Sequence, residues 1–175
     1  MQQVIPASQT LFVLQQNSKT SAHLSDPLFR YTDVAISKKE KQLKLESIED
    51  LSNFSIAAYQ GAKDLLGEQF KIMTLSNPTY VEHPHPKNTT LAMLAGKKDI
   101  RIGDINIFYF DLENQNYNNN DIKTQEFDIH HLWPDVYSHM AFKDEILRDK
   151  VNIQIKNMSE DGSLENIYKQ YIKYP

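Results

Sequence analysis

Residues 89–113 read TTLAMLAGKKDIRIGDINIFYFDLE, and their reading decides the fold. Leu91, Met93, Leu94 and Ala95 form a short apolar helix, closed by Gly96, which can take the left-handed conformation that ends helices. Asp99, Ile100, Arg101 and Ile102 are then extended, and Gly103-Asp104 makes a turn at the strand end. Asp104 is suited to cap a following helix, because its carboxylate can accept the free N–H groups of the first turn. Ile105, Phe108, Tyr109 and Leu112 recur at i, i+3, i+4 and i+7, the spacing of an amphipathic helix. Helix, strand, helix predicts an α/β sheet. A carboxylate at the carboxyl end of a strand stands where open α/β sheets hold ligands.

The remaining chain extends this pattern. Residues 33–37 (DVAIS) and 55–59 (SIAAY) are expected strands, joined by a charged connector over 38–44. Ser47 is expected to cap one helical turn, with Glu49 and Asp50 near its positive end. Gln60-Gly61 ends the second strand and a helix over 62–70 follows, weakened by Gly67. Strand, glycine and helix can point free N–H groups at an anion, although a plain strand-to-helix turn fits as well. Residues 71–75 are read as another strand, and 77–87, with three prolines, as a loop. Residues 114–120 are an Asn-rich loop, 127–133 a strand ended by Pro134, and 136–143 a strand with rough alternation. Asp144 opens a helix with Leu147, Val151, Ile155 and Met158 on one face, stopped by Gly162. Ser163 is expected to cap a last helix carrying Leu164, Ile167, Tyr168, Tyr171 and Ile172.

Composition narrows the function. The 175 residues suffice for one medium domain or two small lobes. The net charge of −4, with no basic stripe, argues against a nucleic-acid surface. No apolar run approaches the length of a membrane span, and the first residues lack the basic and apolar regions of a secretory signal. Absence of cysteine excludes disulfides, thiol catalysis and Cys-based zinc sites. His83 and His85, with His130 and His131, are the only metal candidates; their spacing fits no standard zinc pattern, and surface-loop histidines are the simpler reading. No metal or other cofactor is expected. Ser, His and Asp are present, but no nucleophile elbow occurs.

Four segments, in order, carry a resemblance to a known family. They are SDPLFRYTDVAISKK, SIEDLSNFSIAAYQGA, LAGKKDIRIGD and YSHMAFKDEILRDKVNIQIKNMSEDGSLENIYKQYI. They resemble the "FSdPyy" turn and first crossover strand, the "sleDLkgkkvavqkGt" segment, the "LaaGrvDavvgD" segment and the C-terminal region of the type 3 extracellular solute-binding proteins. These are the amino-acid-binding components of bacterial ABC-type importers. The resemblance implies an α/β, type II periplasmic-binding-protein-like fold, with two lobes of mixed sheets, helices on both faces, and ligand in the cleft between them. Residues 1–46 would be a remnant of lobe 1 with the first hinge strand, 47–133 lobe 2, and 134–175 the second hinge strand and C-terminal helices of lobe 1. Lobe 1 would then be incomplete, as in a truncated frame, a degenerate copy or a fragment. An apolar surface would be exposed where the rest should pack.

The resemblance also assigns residues. Asp104 matches the aspartate that holds a ligand ammonium, a role compatible with capping. Gly61 and Ala62 match the "Gt" turn that binds a ligand carboxylate through N–H groups, with Ala62 lacking the usual hydroxyl and Lys63 able to add charge. Ser18 or Lys19 falls where the family has an arginine that clamps the carboxylate, which argues against a standard α-amino acid. The expected protein is therefore a monomeric, non-enzymatic solute-binding protein for a small amino-acid-like or amine ligand. By resemblance it is periplasmic and works with a membrane permease, without membrane insertion. The alternatives are a sensor-type binding domain, a remnant without ligand, or a dehydratase-like enzyme on the same scaffold.

Overall fold

The computed structural model describes residues 22–114 and 126–171. The chain forms two compact units, one of Met1–Tyr31 with Asp135–Pro175, the other of Thr32–Pro134. Ser18 and Lys19 lie outside the described residues.

The second unit is built on a five-stranded mixed sheet of order β5-β4-β6-β3-β7. Its strands are β3 (Asp33–Lys38), β4 (Ile56–Tyr59), β5 (Val81–His83), β6 (Ile100–Asp104) and β7 (Phe127–His130). β4 runs parallel to β5 and β6, whereas β3 pairs antiparallel with β6 and β7. β3 lies between β6 and β7 in this sheet. Parallel neighbours need crossover connections, supplied by α1 (Ala62–Leu65) and α2 (Glu68–Ser76) before β5, and by α3 (Pro86–Leu94) before β6. α4 (Ile105–Asn114) follows β6 directly. Every residue of β6 is buried, and one cluster containing Leu51, Ile56, Phe70, Ile100 and Ile102 forms the core.

Four local expectations are corrected. Residues 71–75 belong to α2, not to a strand. Phe70, Met73 and Thr74 are buried while Ile72 and Leu75 are exposed, so the buried positions follow helical spacing. Gly67, at φ 95°, splits the expected helix over 62–70 into α1 and α2. The proline-rich stretch 77–87 holds β5 and the start of α3, with Pro86 in the first helical turn, where a missing N–H costs nothing. At residue 47 the capping runs the other way. Asp50 accepts the Glu46 and Ser47 N–H groups, both at 2.9 Å, and the Ser47 hydroxyl at 3.1 Å, ahead of a 3-10 turn over Glu49–Asn53.

In the first unit, β1 (His23–Leu24) pairs with β9 (Ala141–Phe142), and β2 (Phe29–Tyr31) with β8 (Val136–Ser138), all antiparallel. The single strand expected over 136–143 is thus two, parted where Met140 N–H donates to Ser25 Oγ at 2.9 Å and His139 Nδ1 lies 2.7 Å from the Ser25 carbonyl. Helix α5 (Glu145–Glu160) is capped as expected, Asp144 accepting Ile146 N–H at 2.8 Å and Leu147 N–H at 3.1 Å. Asp144→Ala is expected to cost about 1 kcal/mol in urea unfolding. Helix α6 (Ser163–Tyr171) begins at Ser163, whose N–H is taken by Asp161 at 2.8 Å, so Asp161 does the capping expected of Ser163. Tyr168 stacks on Phe29 at 5.8 Å and donates its hydroxyl to the Leu28 carbonyl at 2.7 Å. Ile155 is the buried residue of α5, while Ile146, Ile153 and, on α6, Ile167 are exposed; Leu147, expected on the same face as Ile155, is exposed as well. Among the described residues no helix is long and apolar enough to cross a membrane.

Candidate functional site

The site lies at the carboxyl end of the parallel strands of the second unit. Register brings its residues together: Tyr59 pairs with His83, and Asp104, the last residue of β6, lies opposite Asp33, the first of β3. A charged residue inside a strand buried on both faces needs partners, and Arg101 shows how they are supplied. It is almost fully buried, and one guanidinium nitrogen donates to the Asp104 carbonyl at 3.0 Å. Its guanidinium carbon lies 5.6 Å from the Phe108 ring centre, and Nε is buried without a hydrogen-bond partner. Burial pulls its pKa down to about 10, opposed by the carboxylates of Asp111, Asp104 and Asp33. Asp111 in turn accepts the Thr90 hydroxyl at 2.6 Å.

Gly103 makes this packing possible. Its φ is +150°, and a Cβ there would meet Tyr59 Cδ1 at 3.2 Å and both guanidinium nitrogens at 3.4 Å. Any other residue would displace either the tyrosine ring or the arginine.

Asp104 caps α4, with Oδ1 accepting Asn106 N–H at 2.9 Å and Ile107 N–H at 3.0 Å. Its Oδ2 accepts Thr32 N–H at 3.0 Å, a second clip that sequence reasoning missed. A carboxylate has about four acceptor positions, so Oδ2 keeps capacity for one more donor. Asp33 is also buried, with a hydrogen bond from the Tyr59 hydroxyl at 3.3 Å. Burial first, and then the Asp104 charge, raise its pKa to about 6; Arg101 and Tyr59 oppose the rise. Burial, with the Asp33 charge beside it, pushes the Tyr59 hydroxyl well above its usual value.

The turn after β4 does bind a carboxylate, and it is the chain's own. Gly61, in the left-handed conformation at φ 88°, donates its N–H to Glu82 Oε2 at 2.8 Å, and Lys63 N–H donates to Oε1 at 3.0 Å. The Tyr80 hydroxyl adds a third donor at 2.8 Å to Oε1. The Ala62 side chain is fully buried, whereas Lys63 is exposed.

The histidines do not converge. His83 ends β5, and His85 precedes α3. His130 Nε2 lies 3.1 Å from Ser37 Oγ, and burial lowers the His130 pKa. Ser37 is fully buried and His130 half-buried. Among the described residues no group of three His, Cys, Asp or Glu is placed to hold a metal.

The sequence matches no protein-family model and no curated protein. Solved structures do match. A mutant of ArgBP from T. maritima superposes with a TM-score of 0.66 at 15% identity, over 91% of this chain and 65% of that one. An amino acid ABC transporter substrate-binding protein, AbpA from Streptococcus pneumoniae, bound to L-arginine, gives 0.62 at 20% identity, over 97% of this chain and 74% of that one. ArtJ, an arginine-, lysine-, histidine-binding protein from Geobacillus stearothermophilus, gives 0.61 at 19%, over 98% and 67%. The chain therefore has the mixed α/β fold of bacterial amino-acid ABC substrate-binding proteins, which are two-lobe, type II periplasmic binding proteins. It spans 65% of the length of the first of these structures.

Proposed function

We propose that the chain is a solute-binding protein of an ABC-type importer, periplasmic and partnered by a membrane permease, with the Thr32–Pro134 unit as the family's second lobe. Its ligand carries an ammonium or guanidinium group that takes the spare acceptor of Asp104 and the carboxylate of Asp33. The observation behind this reading is the Asp33–Asp104 pair at the carboxyl end of the sheet: two buried carboxylates face one buried guanidinium that Asp111 also shares. A cation arriving there relieves like-charge repulsion. ArgBP, AbpA and ArtJ, whose names or bound ligand include cationic amino acids, share this fold, as do proteins bound to glutamate or glutamine.

A thermal-shift screen of the chain against amino acids, amines and small carboxylates tests the proposal. Amines or guanidinium compounds should raise the melting temperature by several degrees, because a ligand at 100 times its Kd stabilises by about 2.7 kcal/mol. No shift with any cation, or shifts with carboxylates alone, would rule the proposal out.

A further inference from the structure

Glu82 sits in the middle of β5, an edge strand that pairs with β4 through its backbone, Glu82 lying opposite Ala58. That pairing places no demand on the side chain. The side chain nonetheless meets three donors within 3.0 Å: the N–H groups of Gly61 and Lys63, one on each carboxylate oxygen, and the Tyr80 hydroxyl. Donors shared this way between both oxygens describe a seat shaped for a carboxylate, with charge-assisted bonds at each contact. Glutamine would turn an amide NH2 toward one of those N–H groups.

Around this seat the charged side chains at the same end of the sheet are carboxylates, Asp33 and Asp104, and the guanidinium of Arg101 is sunk beneath them. Lys63 offers its N–H to Glu82, while its side chain is exposed.

We infer that Glu82 is a specificity-determining residue: it fills the anion seat at Gly61 and Lys63 from within, and so selects organic cations that bring no carboxylate to this turn. The inference rests on the proposed ligand-binding role of the same end of the sheet, and it adds that decarboxylated amines are preferred over the matching amino acids. The residue acts by occupying donors that a ligand carboxylate would need, and by repelling that carboxylate.

Two measurements on the full chain test it separately. In the first, calorimetry compares agmatine with L-arginine, which differ in the α-carboxylate. The unaltered chain should bind agmatine at least tenfold more tightly, and Glu82→Ala should remove or reverse that preference. An arginine preference in the unaltered chain, or a ratio unchanged by Glu82→Ala, overturns the inference. In the second, acetate is titrated while the Gly61 and Lys63 amide resonances are followed. They should stay still in the unaltered chain and shift saturably in Glu82→Ala. Equal response in both chains, or none in either, overturns the occupied seat. Glu82→Gln, which keeps the size of the side chain, should respond between the two. If neither agmatine nor arginine binds, the proposed ligand class falls, while the acetate titration still decides the role of Glu82.

Discussion

Replacing Arg101 with methionine is expected to lower stability by about 3–5 kcal/mol, the cost of removing one member of a buried ion cluster. Methionine fills much of the same space, so the loss comes from charge rather than volume. Without the guanidinium, Asp33, Asp104 and Asp111 would remain buried with no cation among them. Domains of this kind are stable by only about 5–15 kcal/mol, so a large share would be lost. Urea unfolding of the two proteins measures the difference. Adding Asp111→Asn to the methionine variant should recover part of it, because one uncompensated charge is removed while the Thr90 hydroxyl keeps an acceptor. A methionine variant within 1 kcal/mol of the original would show that Arg101 is not the charge centre of this unit.

Asp33→Asn should stabilise the chain near neutral pH and leave it unchanged in acid. The folded-state pKa of about 6 lies above the ordinary 3.8. Between those values the folded chain holds a proton that the unfolded chain has released, so stability falls as pH rises through the window. Below about pH 4 both states are protonated and the penalty is absent. Above pH 6 it is fully developed, at about 3 kcal/mol for a rise of this size. The Asn variant carries no such penalty, so the two stability curves should meet in acid and separate by up to about 3 kcal/mol at pH 7. Parallel curves across this range would remove Asp33 from the buried cluster. Asp99 bends the common baseline the other way in strong acid. Burial would raise its pKa, but hydrogen bonds from Lys41 and Ser55 carry it to about 2, so the stability it contributes is lost below pH 4 as the carboxylate protonates. The difference between the two curves cancels that contribution.

Much of the second unit was legible because its signals are local. Short, mostly apolar runs marked β3 and β4, and the helical spacing after Asp104 marked α4 together with its cap. The misreadings share one cause. KIMTL is apolar at strand-like and helix-like positions alike, and only the burial of Phe70 and Met73 against the sheet selects the helix. The short edge strand β5 has three residues between prolines and offers no periodicity to read. The candidate site was half legible. Asp104 announced itself by position, and the Gly61 turn by its glycine. Arg101, Asp33, Tyr59 and Glu82 did not, because their meaning depends on register: Asp33 and Asp104 are far apart in sequence and opposite in the sheet. A charge between two isoleucines in a buried strand was the one available signal for Arg101. For Glu82 the sequence held no comparable signal, since a glutamate on a short edge strand reads as solvated until its distance to Gly61 is known.

The interleaving of the two units also orders events during synthesis. The Thr32–Pro134 unit is one continuous stretch, and its five strands can pair as soon as that stretch has been made. β1 and β2 are translated before it, yet their partners β9 and β8 come after it, so neither can pair until the unit between them is complete. Domains fold as units in the order they emerge. β1 and β2 therefore find their strand partners only once the chain through residue 142 is available, whether folding takes place at the ribosome or after export.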